Sequence, residues 1–158
     1  MVKRYNQIPG IDFTGSHSPV ATDVTIRTFL VAAIIYGWNI EQFDVETAFM
    51  YGNLDEKIYL EKPDGYNKYS GDLMDKNEVL MLEKSLYGLV QAARAWLKTF
   101  IKHLMEVLSF ERSMADPCLL LKKDKKSRLV LVVIVYVDDC AVGGEPQWIQ
   151  WFGKEVGK

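Results

Sequence analysis

A chain of 158 residues with 49% hydrophobic and 25% charged side chains is long enough to close one core and too short for two. Its formal net charge of −2 excludes a globally basic nucleic-acid binder, so any polyanion has to be held locally. The two cysteines, Cys118 and Cys140, fall inside apolar runs and read as reduced core residues, and no apolar stretch reaches the ~18 residues of a membrane helix.

Residues 1–21 read as irregular, broken by Pro9-Gly10, Gly15 and Pro19, with Lys3 and Arg4 as an early basic pair. The opening MVKRYNQIPG lacks the apolar core of a signal peptide, so an intracellular location is expected. His17 has no ligand-type neighbour at metal spacing and reads as a loop residue. Thr22 or Asp23 can cap a helix whose apolar positions Ile26, Phe29, Leu30, Ala33 and Ile34 share one face and which ends at Gly37. Trp38 to Val45 alternates as a strand, with Ile40, Gln42 and Asp44 on one face and Phe43 and Val45 on the other. It delivers a carboxylate, Asp44, at its C-terminal end.

The chain then turns through Glu46 to Tyr51 and breaks at Gly52-Asn53. A short strand over Lys57 to Glu61 stops at the turn Pro63-Asp64-Gly65, a polar loop covers 66–77, and Val79 to Leu82 forms another strand. A long amphipathic helix follows from about Gln91 to Leu108, its stripe formed by Ala93, Trp96, Leu97, Phe100, Ile101, Leu104, Met105 and Leu108. Cys118 to Leu121 is a strand, and the lysine-rich turn Lys122 to Arg128 reads as a solvated loop, with nucleic-acid contact as its alternative. A final helix starts near Pro146.

The stretch LVLVVIVYVDDCAVGG, Leu129 to Gly144, stands out. Its first nine residues are almost unbrokenly apolar and β-branched, which suits a strand buried on both faces. Asp138 and Asp139 form the turn of the expected hairpin, and Cys140, Ala141 and Val142 return as its second arm. Carboxylates about 4 Å apart repel by about 4 kcal/mol at an effective dielectric near 20. A solvated turn relieves that repulsion, and so does a shared divalent cation with hard-oxygen preference such as Mg2+. The expected architecture is α+β, a mostly antiparallel sheet backed by helices on one face. If the strand ending at Asp44 neighbours the hairpin, three carboxylates converge as the ligand set for two-metal phosphoryl or nucleotidyl transfer.

Tyr136-Val137-Asp138-Asp139 resembles the YxDD signature of reverse transcriptases, and the wider sequence resembles their copia-type retrotransposon branch. The resemblance rests on Ile8-Pro9-Gly10-Ile11-Asp12-Phe13, Ser18-Pro19-Val20-Ala21, Gln42 to Phe49, and Ser85-Leu86-Tyr87-Gly88-Leu89-Val90-Gln91-Ala92-Ala93-Arg94-Ala95-Trp96, in family order and approximate spacing. It implies the fingers and part of the palm of a polymerase over residues 1–158. The thumb, RNase H and integrase regions of the Pol polyprotein are expected partners that lie outside this stretch. It implies RNA-directed DNA synthesis on an RNA/DNA template-primer with dNTPs and two Mg2+ or Mn2+ ions, in a cytoplasmic particle for an active element.

Carried onto this sequence, the resemblance makes Asp44, Asp138 and Asp139 catalytic, with the Val45 carbonyl completing the metal coordination. Phe49 becomes the steric gate against a ribose 2′-hydroxyl, with an ordinary core phenylalanine as its alternative. Gln91 and Arg94 become nucleotide contacts, with plain helix-surface roles as the alternative. Tyr136, Val137, Lys84 and Lys98 become contacts to the nucleic acid. Ala93 departs from the proline usual in the family. The alternative to an enzyme is a catalytically inactive remnant or co-opted binding module that keeps the fold without turnover.

Overall fold

The computed structural model describes residues 6–63, 65–66 and 78–157. The Lys3-Arg4 pair, Asp64 and residues 67–77 of the expected loop lie outside them.

The strand over Leu129–Tyr136, β6, sits in the middle of a five-stranded antiparallel sheet of order β1-β7-β6-β5-β4. The other strands of the sheet are β1 (Asn39–Asp44), β4 (Glu111–Arg112), β5 (Leu119–Lys123) and β7 (Asp139–Gly144), of which β5 and β7 pair directly with β6. A central place follows from composition, because Val130 to Val135 are all buried and an edge strand would leave such a row half wet. A separate two-stranded ribbon joins β2 (Tyr59–Leu60) to β3 (Leu80–Met81). These short strands fall inside the longer runs expected from the sequence.

Among the described residues, three α-helices are seen: α1 (Asp23–Tyr36), α2 (Ala92–Glu106) and α3 (Pro146–Val156). The expectation of helices on one face is corrected here. On β1, Phe43 lies on the face opposite Ile40, Gln42 and Asp44, and it meets Phe152 edge-on at 5.5 Å, which puts α3 over that face. A Cβ placed on Gly143, on the other face, would lie 2.4 Å from the Phe29 ring, so α1 lies there. A strand without polar alternation demands cover on both sides, and the sheet receives it.

The α2 stripe is buried as expected at Trp96, Leu97, Phe100, Ile101 and Leu104, while Met105 at its end is exposed. Thr22 caps α1 by accepting the Thr25 backbone N–H, and Gly37 ends the helix at φ 64, the left-handed value that favours glycine. Of the five apolar positions expected to share the buried face, Phe29 and Ala33 are buried and Ile26 is half-buried, whereas Leu30 and Ile34 are exposed. Only the edge of the helix that meets Gly143 is covered.

One residue of register separates the expected hairpin from the observed one. The turn consists of Val137 and Asp138, with Tyr136 paired to Asp139, so Asp139 belongs to β7 and not to the turn. A two-residue connection between antiparallel strands favours positive φ at its first position, and here Val137 supplies it at φ 60. That value is unusual for a β-branched residue.

Candidate active site

The backbone brings the first carboxylate to the other two. β1 and β7 pair from Asn39↔Gly144 to Asp44↔Asp139, which sets Asp44 directly across from Asp139 with both on one face of the sheet. The pairing continues one step further, where the Val45 N–H donates to the Asp138 carbonyl at 3.2 Å. The strand ending at residue 44 is therefore seamed to the hairpin tip. α1 covers this face only at its far end, near Gly143; Asp44 is exposed, and Asp138 and Asp139 are half-buried.

The side chains are less gathered than the backbone. The Gln42 amide donates to Asp139 Oδ1 at 3.0 Å and draws that carboxylate along the strand. Among the described residues no three His, Cys, Asp or Glu side chains are grouped closely enough to hold a metal ion. The donor set still fits a hard divalent cation in chemistry: carboxylate oxygens on adjoining strands, plus the Val45 carbonyl, which accepts from Ala48 N at 3.1 Å and keeps a second lone pair.

Backbone strain collects around the same point. Four non-glycine residues have positive φ among the described residues, and the two β-branched ones are Thr47 (φ 54) and Val137 (φ 60). One lies three residues past Asp44 and the other directly precedes Asp138. Such residues persist where surrounding contacts over-determine them, as at ligand clamps and active sites. The contact at Val137 is explicit: the Trp96 indole N–H donates to its carbonyl at 2.9 Å. Tyr136, at the end of β6, is exposed.

The other expected contacts lie elsewhere. Phe49, in a 3-10 turn over Ala48–Tyr51, is half-buried against Tyr87, ring centroids 4.7 Å apart. Gln91, Arg94 and Lys98 line an open polar depression with Gly15, Asp55 and Glu56. Gln91 is buried within it; its amide donates to the Asp12 carbonyl at 2.9 Å and accepts from Gln7 at 3.0 Å. Its polar atoms thus hold the segment before α1. Arg94 is exposed, and its guanidinium lies where a Cβ on Gly15 would be, 2.7 Å from Nη1. Lys98 pairs with Asp55 at 2.8 Å, and Lys84 donates to the Asn53 side-chain carbonyl. Exposed contacts of this kind contribute little to stability. The expected turn from Lys122 to Arg128 is shorter than the sequence suggests: Lys122 and Lys123 belong to β5, with Lys122 half-buried over the Trp151 ring at 4.8 Å and Lys123 paired with Glu111, and only 124–128 turn, with Arg128 paired to Asp124.

Three residues at the site are not marked as functional by the sequence alone. Gln42 stands two positions before Asp44 on the same face. Trp96 falls in the apolar stripe of α2, although an indole N–H inside such a stripe has to find an acceptor. Gly15 carries no local signal.

A family model described as reverse transcriptase (RNA-dependent DNA polymerase) matches residues 1–157. The chain is 38% identical over 92% of its length to the retrovirus-related Pol polyprotein from transposon TNT 1-94 of Nicotiana tabacum, and 37% identical over 91% to that from transposon RE1 of Arabidopsis thaliana. A truncated Ty1-A Gag-Pol polyprotein of Saccharomyces cerevisiae is 26% identical over 84% of the chain. The chain spans 10%, 9% and 10% of these three relatives respectively. No solved structure matches it.

Proposed function

The chain belongs to the reverse transcriptase (RNA-dependent DNA polymerase) family, in its copia-type retrotransposon branch, and from that premise we propose that it carries the chemistry of RNA-directed DNA synthesis. The primer 3′-hydroxyl attacks the α-phosphorus of a dNTP, the new phosphodiester forms, and pyrophosphate leaves. The observation that carries this reading is the register of Asp44 opposite Asp139, continued by the Val45 N–H on the Asp138 carbonyl.

Asp44 and Asp138, with Asp139 and the Val45 carbonyl as accessories, would hold two Mg2+ or Mn2+ ions. Bound there, the ions supply Lewis-acid activation of the hydroxyl and neutralise charge on the departing pyrophosphate. Gln42 keeps Asp139 oriented on the shared face. Phe49 limits room beside the sugar, and its packing on Tyr87 makes the ring a rigid wall. The guanidinium of Arg94, fixed over Gly15, meets the triphosphate from the mouth of the depression, with Gln91 behind it. Tyr136 and Val137 support the primer end, and Lys84 and Lys98 release their neutral or anionic neighbours to take backbone phosphates. Base choice is left to pairing with the template, which agrees with a chain of net charge −2. The rest of the Pol polyprotein (thumb, RNase H, integrase) supplies the remaining grip. Among the described residues no helix is long and apolar enough to cross a membrane.

Primer extension on an RNA template with Mg2+ or Mn2+ tests the reading, with Asp138→Asn as control. The expected result is addition of dNTPs by the wild type and its loss in the variant. Template-primer binding without extension, unchanged in the variant, would favour a non-catalytic binding module instead.

A further inference from the structure

We infer that Trp96 is a positioning residue for the hairpin tip that carries Asp138 and Asp139, acting through its indole N–H and not through its ring alone. The role in catalysis rests on the function proposed above; the hold on the tip does not.

Trp96 is 4% exposed on the second turn of α2. Its ring stacks on Phe100, centroids 4.8 Å apart and planes inclined by 18°, so its orientation is set by the helix. The edge left over carries one donor, and that donor meets the Val137 carbonyl at 2.9 Å. Val137 is the residue at φ 60, the first of the two turn residues. Its peptide carbonyl lies on the bond to Asp138. A β-branched residue relaxes out of that backbone region unless something opposes it. Trp96 opposes it from the helix side, and the Val45 N–H secures the next carbonyl, that of Asp138, from β1. Two successive carbonyls of the turn are thus held by donors from different elements, and the carboxylate of Asp138 projects from the peptide between them. A buried indole N–H needs an acceptor, and here the acceptor is the carbonyl of the turn and not one of its own helix.

Trp96→Phe keeps an aromatic ring for the stack and removes the donor. Amide hydrogen exchange is read at residues 136–140 and, for reference, at Val133 and Val142 in the strand centres. The expected result is two- to tenfold faster exchange at the tip, the factor corresponding to one neutral hydrogen bond, with the strand centres unchanged. The Mn2+ concentration for half-maximal primer extension rises by a similar factor, while KM for dNTP stays put. Uniform acceleration across the sheet, or none at the tip, overturns the inference. Should the wild type bind no Mn2+ and extend no primer, the proposed function fails while the exchange result still decides the hold on the tip. Should the variant not fold, the wild-type indole proton decides: exchange as slow as the core amides supports the bond, and exchange at the rate of an exposed tryptophan overturns it.

Discussion

Two acidic stations occupy the same molecule and are treated in opposite ways. Asp116 is 1% exposed and its carboxylate accepts from the Thr22 N–H, the Thr22 and Thr25 hydroxyls and the Cys118 N–H, at 2.6–3.2 Å. Asp44, Asp138 and Asp139 stand at an uncovered sheet end, where among the described residues the one side-chain donor to the three is the Gln42 amide. A buried carboxylate satisfied by the chain is part of the fold, because every donor aimed at it would be orphaned by its removal. Carboxylates brought together by backbone register and left with open lone pairs are available to something outside the chain. The difference separates an acid that holds α1 against the start of β5 from acids that, on the proposed function, take a divalent cation.

The comparison breaks most visibly on activity. Asp44→Asn or Asp138→Asn should reduce primer extension by on the order of 10²–10³-fold, the range typical for losing a charge-stabilising group, and should leave the urea midpoint close to wild type. Extension that survives in either variant would remove these residues from the chemistry. Asp116→Ala should do the reverse in kind. By stranding the Thr22 and Cys118 N–H groups and two hydroxyls, it should lower stability by about 3 kcal/mol, read as a lower urea midpoint at unchanged slope. An unaffected midpoint would mean that water replaces Asp116 without loss.

A divalent cation sharpens the contrast at a smaller scale. Mn2+ at ten times its dissociation constant adds about 1.4 kcal/mol to the folded state, or roughly 3–6 °C in Tm for a chain of this size. The shift should vanish with EDTA and in Asp138→Asn, and persist in an Asp116→Asn protein that remains folded. A shift equal in all three proteins would point to a cation site elsewhere.

The parts of this arrangement that were legible in the sequence are those written into contiguous residues. The unbroken apolar run of β6 foretold a central strand, and the 3.6-residue stripe of α2 foretold its buried face. The alternation from Ile40 to Val45 put Asp44 on the face it occupies. The hairpin was legible and its turn was displaced by one residue, because Asp-Asp is the better turn dipeptide and the backbone bends at Val137-Asp138 under the pairing of Tyr136 with Asp139. Partners remote in sequence left no trace. Asp116 lies 94 residues from Thr22 and 91 from Thr25, so nothing local marked it as a buried cap. In α1 the apolar positions are too evenly spread around the helix to say which would be covered, and the Phe29–Gly143 contact decides it.

The smallest expected effect is the pH dependence of the structural station. Burial alone would raise the Asp116 carboxyl, but the Thr22 N–H, the Thr25 hydroxyl, the Cys118 N–H and the Thr22 hydroxyl outweigh it and hold the group below the ordinary carboxylate value. A group whose folded value is depressed contributes stability that is fully present above its unfolded value, near ~3.9, and lost as pH falls through the folded one. The stability gap between wild type and Asp116→Asn should therefore be flat from pH 5 upward and narrow below about pH 4, because only the wild type has a proton to take up there. Urea titrations of both proteins at pH 6 and pH 3 measure it, as a fraction of the gap itself. A gap that widens on acidification would mean that the four donors do not favour the charged form, and Asp116 would lose its standing as the satisfied counterpart of the three open acids.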